Sequence, residues 1–130
     1  MNIPGDLKYS ETHEWIRLKG NKAKIGITDY AQSELGDIVY VELPEVGDEF
    51  GQGDELAMID SAKTTAQIYA LVGLRVIAVN GNLADKPELV NSDPYGEGYM
   101  MEVEVADPSQ VGALMDATAY KDYVESSGGD

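Results

Sequence analysis

The sequence predicts a small, mostly antiparallel β-sandwich or flattened barrel with helices at its C-terminal end. The chain has 130 residues, the length of one typical domain and enough to bury a core of its own. Short apolar runs separated by Gly, Asn, Asp and Pro predict many strands joined by turns, whereas helical spacing appears only near the C-terminus. We expect one domain over 1–130, with a core at about 7–105, helices at about 108–125 and a frayed tail at 126–130.

The first elements are a hairpin and a short helix. Residues 13–18 and 23–27 have strand character and flank the turn Lys19-Gly20-Asn21. Thr28 has the side chain of a helix N-cap, and Gly36 can end that helix in a conformation that other residues avoid.

The next segments alternate strands with turns. Residues 38–43 predict a strand that ends at Pro44. The run Gly47-Asp48-Glu49-Phe50 is followed six residues later by a similar one, Gly53-Asp54-Glu55-Leu56. We expect each copy to form a turn that leads into a strand.

Lys63 stands between two strand-like runs, 56–61 and 64–69. Only a tight turn fits between them, so the ammonium group should project from the tip of a hairpin. An exposed amine on a rigid backbone is well placed to be acylated by another enzyme. The competing interpretation is an ordinary solvated lysine in a turn. We expect none of the other lysines to have this strand–turn–strand setting.

The C-terminal part predicts two more strands and then helices. Residues 71–79 should form a turn and a buried strand, 82–97 a polar connection with little regular structure, and 99–105 the last strand. Asp107 is the expected N-cap of a helix, and Gln110 should reach back to that cap. The following apolar residues predict two short helices or one broken helix; they are Val111, Leu114, Met115, Ala119, Tyr120 and Val124.

Charge and composition restrict the classes of function. With 24 acidic and 9 basic residues, the net charge is −15. This charge repels phosphate backbones and anionic lipid surfaces, so we expect neither nucleic-acid nor membrane binding. The charge favours a monomer and partners with basic patches, although a role in solubility alone explains the acidity equally well.

The N-terminus lacks a signal or transit pattern and no run is long enough to span a membrane, which predicts a cytoplasmic protein.

The chain contains few residues with catalytic chemistry. It has no cysteine and one histidine, His13, so a metal site built from these residues is excluded. Neither Ser10 nor Ser33 lies in a nucleophile-elbow pattern, and no glycine-rich phosphate motif is present. We expect His13 to be a strand residue with a hydrogen-bonded ring. This inventory predicts no catalytic residue and no metal ligand, and favours a protein that carries another enzyme's chemistry on one covalent handle.

Six segments, in order and at the right spacing, resemble the glycine cleavage system H-protein family. They are His13-Glu14-Trp15, Asp60-Ser61-Ala62-Lys63 and the stretches 25–32, 35–44, 87–91 and 93–99. The resemblance implies a flattened lipoyl/biotinyl-domain-like β-barrel of two sheets, with a short internal helix and a helical C-terminus. It also implies lipoic acid linked as an amide to Lys63.

The resemblance implies a carrier role with several partners. A lipoylating enzyme would modify Lys63, a pyridoxal-phosphate-dependent glycine decarboxylase would load an aminomethyl group, a folate-dependent aminomethyltransferase would unload it, and dihydrolipoamide dehydrogenase would reoxidise the dithiol. Between visits the arm would rest in a surface cleft that includes Thr12, Glu14 and Gln67. A carboxylate at Glu14 suits the cationic amine.

The sequence departs from the family pattern at several positions. Asp60 stands where glutamate is usual, Gln67 where an acid is expected, and Tyr99 where tryptophan is usual. Residues 71–75 replace a Pro-x-Ser-Gly-Glu turn. Two alternatives therefore stay open: a lipoyl relay that serves other lipoate-dependent complexes, and a binding module that is never modified.

Overall fold

The computed structural model describes residues 1–126. The tail expected at 126–130 lies outside the described residues from 127 onward, and Ser126 is the last residue of the C-terminal helix. The elements are β1 (Lys8–Tyr9), β2 (Glu14–Lys19), β3 (Lys22–Ile27), α1 (Asp29–Leu35), β4 (Ile38–Glu42), β5 (Glu49–Phe50), β6 (Glu55–Ser61), β7 (Thr65–Tyr69), β8 (Leu74–Val79), α2 (Asn82–Asp85), α3 (Leu89–Ser92), β9 (Met101–Val105), α4 (Ser109–Gly112) and α5 (Ala117–Ser126).

The described strands form two antiparallel sheets. One has six strands in the order β1-β2-β3-β9-β8-β5, and the other has three in the order β4-β6-β7. Ile25 and Val103 of the larger sheet and Ile59 and Ile68 of the smaller one belong to the same buried cluster. The apolar side chains that alternate along the strands thus meet between the sheets, and the predicted two-sheet sandwich is confirmed.

The expected local signals at the first helix and the repeat are present. The Thr28 side chain accepts a hydrogen bond from the Ala31 N–H at 3.2 Å, and Gly36 ends α1 with φ 79°. Gly47 and Gly53 also have positive φ angles, 98° and 89°, and each precedes a strand, β5 and β6. A left-handed backbone is strained for other residues, so these turns depend on glycine.

Two local expectations were wrong, and one strand was not anticipated. Residues 82–97 contain two one-turn helices, α2 and α3, because Leu83 and Val90 are buried against the core; neither N-cap residue, Gly81 or Glu88, makes a capping hydrogen bond with its side chain. Gln110 does not reach back to its own helix, since its Oε1 accepts the Gly73 N–H at 3.0 Å. Strand β1, Lys8–Tyr9, was not anticipated.

The segment 71–75 departs from the family pattern, yet the structure shows what holds it. Leu71 and Val72 are buried in the core, and Gly73 donates its N–H to Gln110. Apolar burial and this hydrogen bond fix the turn that a proline would otherwise stiffen.

His13 lies in a turn and not in the predicted strand, because its φ of 70° is left-handed and β2 begins only at Glu14. Its ring is hydrogen-bonded as expected: Nδ1 lies 2.8 Å from the Tyr120 hydroxyl, which in turn lies 2.7 Å from the Thr28 hydroxyl. The Tyr120 ring also stacks on Tyr9 at 4.7 Å. These contacts attach α5 to β1 and to the start of β2.

Among the described residues, no helix is long and apolar enough to cross a membrane.

Candidate functional site

Lys63 lies at the tip of the hairpin formed by β6 and β7. Asp60 and Thr65 are the last paired residues before the tip, and the Thr65 hydroxyl donates to the Asp60 carboxylate at 2.5 Å. Lys63 is exposed, and none of the ion pairs within residues 1–126 involves it. Its amine is therefore accessible to another protein.

Ser61 holds the backbone of this tip in one conformation. Its hydroxyl oxygen accepts the N–H of Lys63 at 3.3 Å and that of Thr64 at 3.0 Å. The same hydroxyl donates to the Thr64 carbonyl at 3.0 Å. Because Ser61 is itself buried, the tip is built on the core and presents the lysine on a fixed frame.

A second contact connects the tip to the loop between α1 and β4. The Ala62 N–H donates to the Asp37 carbonyl at 2.9 Å. A Cβ atom added at Gly36 would lie 3.8 Å from the Cε of Lys63, so the lysine stem passes over this loop. The hairpin and the loop thus form one surface around the amine.

A hairpin setting alone does not distinguish Lys63, and the expectation that no other lysine has one was wrong. Lys19 and Lys22 are paired residues at the end of the β2–β3 hairpin. Both belong to the strands, however, whereas Lys63 lies within the turn itself, next to the serine that orders it. What sets Lys63 apart is the hydrogen-bonded frame and not the hairpin.

A cleft of about 630 Å³ lies where β1, the turn before β2, the end of β7 and the segment before α5 meet. It is lined by Tyr9, Ser10, Glu11, Thr12, Glu14, Gln52, Gly53, Tyr69, Ala70, Leu71, Ala113, Leu114 and Met115. Two of the expected docking residues, Thr12 and Glu14, are thus brought together in one cleft. Its wall combines hydroxyl and carboxylate groups with apolar side chains.

Glu14 is fully buried at this cleft, so it is not a solvated strand residue. Its Oε1 accepts hydrogen bonds from the hydroxyls of Ser10 and Thr12, each at 2.5 Å, and its Oε2 accepts the Tyr69 N–H at 3.1 Å. Burial raises the pKa of Glu14 above its usual value, although these donors act in the opposite direction. Glu14 therefore joins β2 to β7 as well as lining the cleft.

Gln67 is not brought to this cleft. It lies on β7 opposite Met58 and lines a separate depression of about 330 Å³ beside β4. Lys63 is also separated from the cleft along the chain. It precedes Tyr69, which lines the cleft, by six residues, and six residues correspond to roughly 20 Å along a strand.

Ser10 and Ser61 were not among the site residues predicted from the sequence. Ser61 could have been found from its position two residues before Lys63, where a serine hydroxyl commonly orders a turn. Ser10, Thr12 and Glu14 alternate along the chain, but the turn that brings their side chains together depends on the left-handed backbone of His13.

Replacing Glu14 with glutamine should change how stability depends on pH. A carboxyl group whose pKa is raised in the folded state contributes stability below its unfolded pKa of about 4.5, and this contribution is lost as pH rises through the folded pKa. The Glu14→Gln protein should therefore lack this decline. Urea unfolding from about pH 4 to pH 8 measures it.

The matched control for this prediction is Glu11→Gln. Glu11 lines the same cleft but is exposed, so its replacement should leave the pH dependence of the wild type in place. Parallel stability curves for wild type and Glu14→Gln would show that the burial of this carboxyl carries no free energy of ionisation.

Comparisons with known proteins agree with the fold. A family model described as glycine cleavage H-protein matches residues 7–127. The glycine cleavage system H proteins of Anaeromyxobacter sp. (strain K) and Anaeromyxobacter dehalogenans (strain 2CP-1) are each 50% identical over 125 residues, which cover 96% of this chain and 98% of each relative. The crystal structure of a glycine cleavage system H protein from Mycobacterium marinum is similar with a TM-score of 0.84 and 34% identity, over 97% of this chain and 99% of that one.

Proposed function

Because this chain belongs to the glycine cleavage H-protein family, we propose that Lys63 carries the lipoyl group through which the protein serves the glycine cleavage system. The family consists of lipoyl carriers without catalytic activity of their own, and this chain is one of them.

The observation that carries the proposal is the frame around Lys63. Its amine is exposed, its backbone is fixed by the Ser61 hydroxyl, and its stem passes over Gly36. Amide formation on Nζ needs an accessible amine and a backbone of constant shape that an enzyme can recognise. This tip provides the amine and the fixed backbone. The residues present therefore fit a covalently attached lipoyl group.

When attached to Lys63, a lipoyl group would supply a disulfide able to accept the aminomethyl group at the glycine decarboxylase; removal of that group at the aminomethyltransferase would leave a dithiol, which dihydrolipoamide dehydrogenase would oxidise back to the disulfide. In that cycle this chain would present the lipoyl arm to the enzymes and shelter the loaded arm between visits. Lys63 provides the attachment point, and the tip keeps it outside the protein surface, where a separate enzyme can reach it.

Thr12 and Glu14 are the residues that we assign to sheltering a cationic amine. The Glu14 carboxylate already accepts hydrogen bonds from two hydroxyls and one backbone N–H. It would therefore attract the amine mainly by its charge, while the Thr12 hydroxyl, which lies between Glu14 and the cleft surface, would make the contact. Glu11 is exposed and lines the same cleft, where it adds a second carboxylate. Leu71, together with the residues before α5, supplies the apolar wall for the chain of the arm.

Gln67 has a different place in this proposal. Since it lies beside Met58 in the depression next to β4, it would contact the arm only along its path from Lys63 and not at the amine. The charge at the amine would come from the cleft and not from position 67.

The net charge of −15 supports transient contacts with several enzymes. Such a charge accelerates encounter with basic surfaces, and salt reduces the attraction over a Debye length of about 8 Å at physiological ionic strength. A carrier that visits three enzymes in turn gains from fast association and fast release.

Two measurements test the proposal. The intact mass of the protein isolated from its own cells should show one lipoyl group per chain. In a reconstituted assay, the exchange of the glycine carboxyl carbon with CO₂ by the decarboxylase should require this lipoylated protein, while the unmodified protein serves as control. If the lipoylated protein fails in this exchange but donates lipoyl groups to other lipoate-dependent complexes, the relay function is correct instead. A chain that is never modified would be a binding module.

A further inference from the structure

A β-bulge near Lys63 turns two neighbouring apolar side chains outward. The pairing of β4 with β6 shifts between Ile38 and Tyr40, so Val39 and Tyr40 both face solvent, although side chains normally alternate along a strand. Val39 is 56% exposed and Tyr40 is 51% exposed, while Ile38 and Val41 on either side are buried. We call Val39 and Tyr40 the β4 pair.

The β4 pair lies beside the modified hairpin. Tyr40 pairs with Asp60, and Ile38 pairs with Ser61, the residue that frames the tip. The loop that leads into β4 is hydrogen-bonded to the tip through Asp37 and Ala62 at 2.9 Å. The lysine and the β4 pair thus occupy the same end of the three-stranded sheet, on a backbone that fixes their relative position.

Protection of a sheet edge does not explain this feature. β4 is an edge strand of its sheet, and bulges often keep edges from pairing with other chains. Charged side chains would serve that purpose, whereas exposed valine and tyrosine add apolar surface and increase the risk of association. Apolar side chains held outward at an edge are better explained by a partner that covers them.

We propose that the β4 pair is the docking contact for the lipoylating enzyme, an inference that rests on the proposed function of Lys63. In that reaction Nζ loses a proton and forms an amide bond with the carboxyl carbon of an activated lipoyl donor, while the bond between that carbon and its leaving group breaks. The reacting atom is on the lysine itself, so the active centre must come down onto the surface around the tip. The enzymes that act on the sulfur atoms work at the far end of a long arm and need not cover the β4 pair.

The side chains around the β4 pair indicate which kind of partner surface is complementary to it. Asp37 and Glu42 are exposed at the two ends of the β4 pair, and Asp60 is opposite Tyr40. The complementary surface is an apolar depression that takes the tyrosine ring, rimmed by cationic side chains. An aromatic anchor inside a charged rim is a common arrangement for the central contact of an interface.

The test uses the lipoylating enzyme of the same organism and the full-length unmodified chain as substrate. In the double variant Val39→Ser with Tyr40→Ser, the apparent KM for lipoylation should rise by about tenfold or more, with kcat nearly unchanged. The matched control is Val46→Ser, since Val46 is 62% exposed and lies beyond the other end of β4; its KM should remain that of the wild type. Melting temperatures of all variants should agree, because the replaced side chains are exposed.

A second reaction tests whether the contact is specific for the lipoylating enzyme. The double variant, lipoylated at high enzyme concentration and then chemically reduced to the dithiol, should be reoxidised by dihydrolipoamide dehydrogenase with the KM of the wild type treated in the same way. An unchanged KM for lipoylation, or an equal rise of KM for both enzymes, would overturn the assignment while leaving Lys63 as the carrier lysine. Failure of the wild-type chain to be lipoylated at all would instead overturn the proposed function and this inference with it.

Discussion

Replacing Lys63 with arginine is expected to abolish lipoylation completely while leaving the fold intact. The guanidinium group keeps the positive charge but does not form the amide with the lipoyl carboxyl group. Lys63 is exposed and makes no ion pair within residues 1–126, so its replacement removes no buried contact. Intact mass after coexpression with the lipoylating enzyme should show only unmodified protein, and glycine-dependent CO₂ exchange should fall to background.

The matched control for Lys63→Arg is Lys22→Arg. Lys22 is an exposed lysine at the end of the β2–β3 hairpin, but it lacks the serine frame of the β6–β7 tip. This variant should be lipoylated as the wild type is. A lipoylated peptide from the Lys63→Arg protein that maps to another lysine would refute both the attachment site and the role assigned to Ser61.

Replacing Gly98 with alanine is expected to destabilise the fold more than any other substitution proposed for this protein. An added Cβ would collide with the Leu89 carbonyl oxygen and would lie 2.8 Å from the Asp93 carbonyl oxygen. Both are backbone atoms, and Asp93 also accepts the Gly98 N–H at 2.8 Å, so neither can move away without breaking the turn. We expect a loss of about 3 kcal/mol or more in the free energy of unfolding, at the upper end for overpacking.

The control for this prediction is Gly112→Ala. Gly112 is exposed at the end of α4, and a Cβ there would meet nothing within 4 Å. Its stability should change little or rise by about 0.4–1 kcal/mol, since alanine restricts the unfolded chain. Thermal unfolding separates the two cases: a Gly98→Ala protein that melts together with Gly112→Ala would show that the turn at 93–99 adapts to a methyl group.

Much of the site was accessible to sequence reasoning where the signal is local. The position of Lys63 between two strand-like runs predicted its place at a hairpin tip, because alternation and turn residues act over a few neighbours. The burial of Glu14 was not predictable in this way. Its donors come from Ser10 and Thr12 nearby, but also from Tyr69, which is 55 residues away along the chain.

The connection at 82–97 shows the same limit for secondary structure. Its polar composition and its Gly, Asn and Pro residues favour a loop, and the N-cap residues of α2 and α3 make no side-chain capping hydrogen bond. The helices form because Leu83 and Val90 reach the core that the two sheets enclose. Tertiary burial outweighs weak local preference in segments as short as one turn.

The sequence by itself determined the sandwich, the hairpin that carries Lys63, the turns at Gly36, Gly47 and Gly53 and the family to which the chain is similar. Each of these follows from patterns that neighbouring residues set through sterics and alternation. Only the tertiary structure decided that Gln67 lies outside the cleft of Thr12 and Glu14, and that Val39 and Tyr40 stand beside the lysine. Those relations depend on how strands distant in sequence pair and bulge, and the packing of the whole core fixes that register.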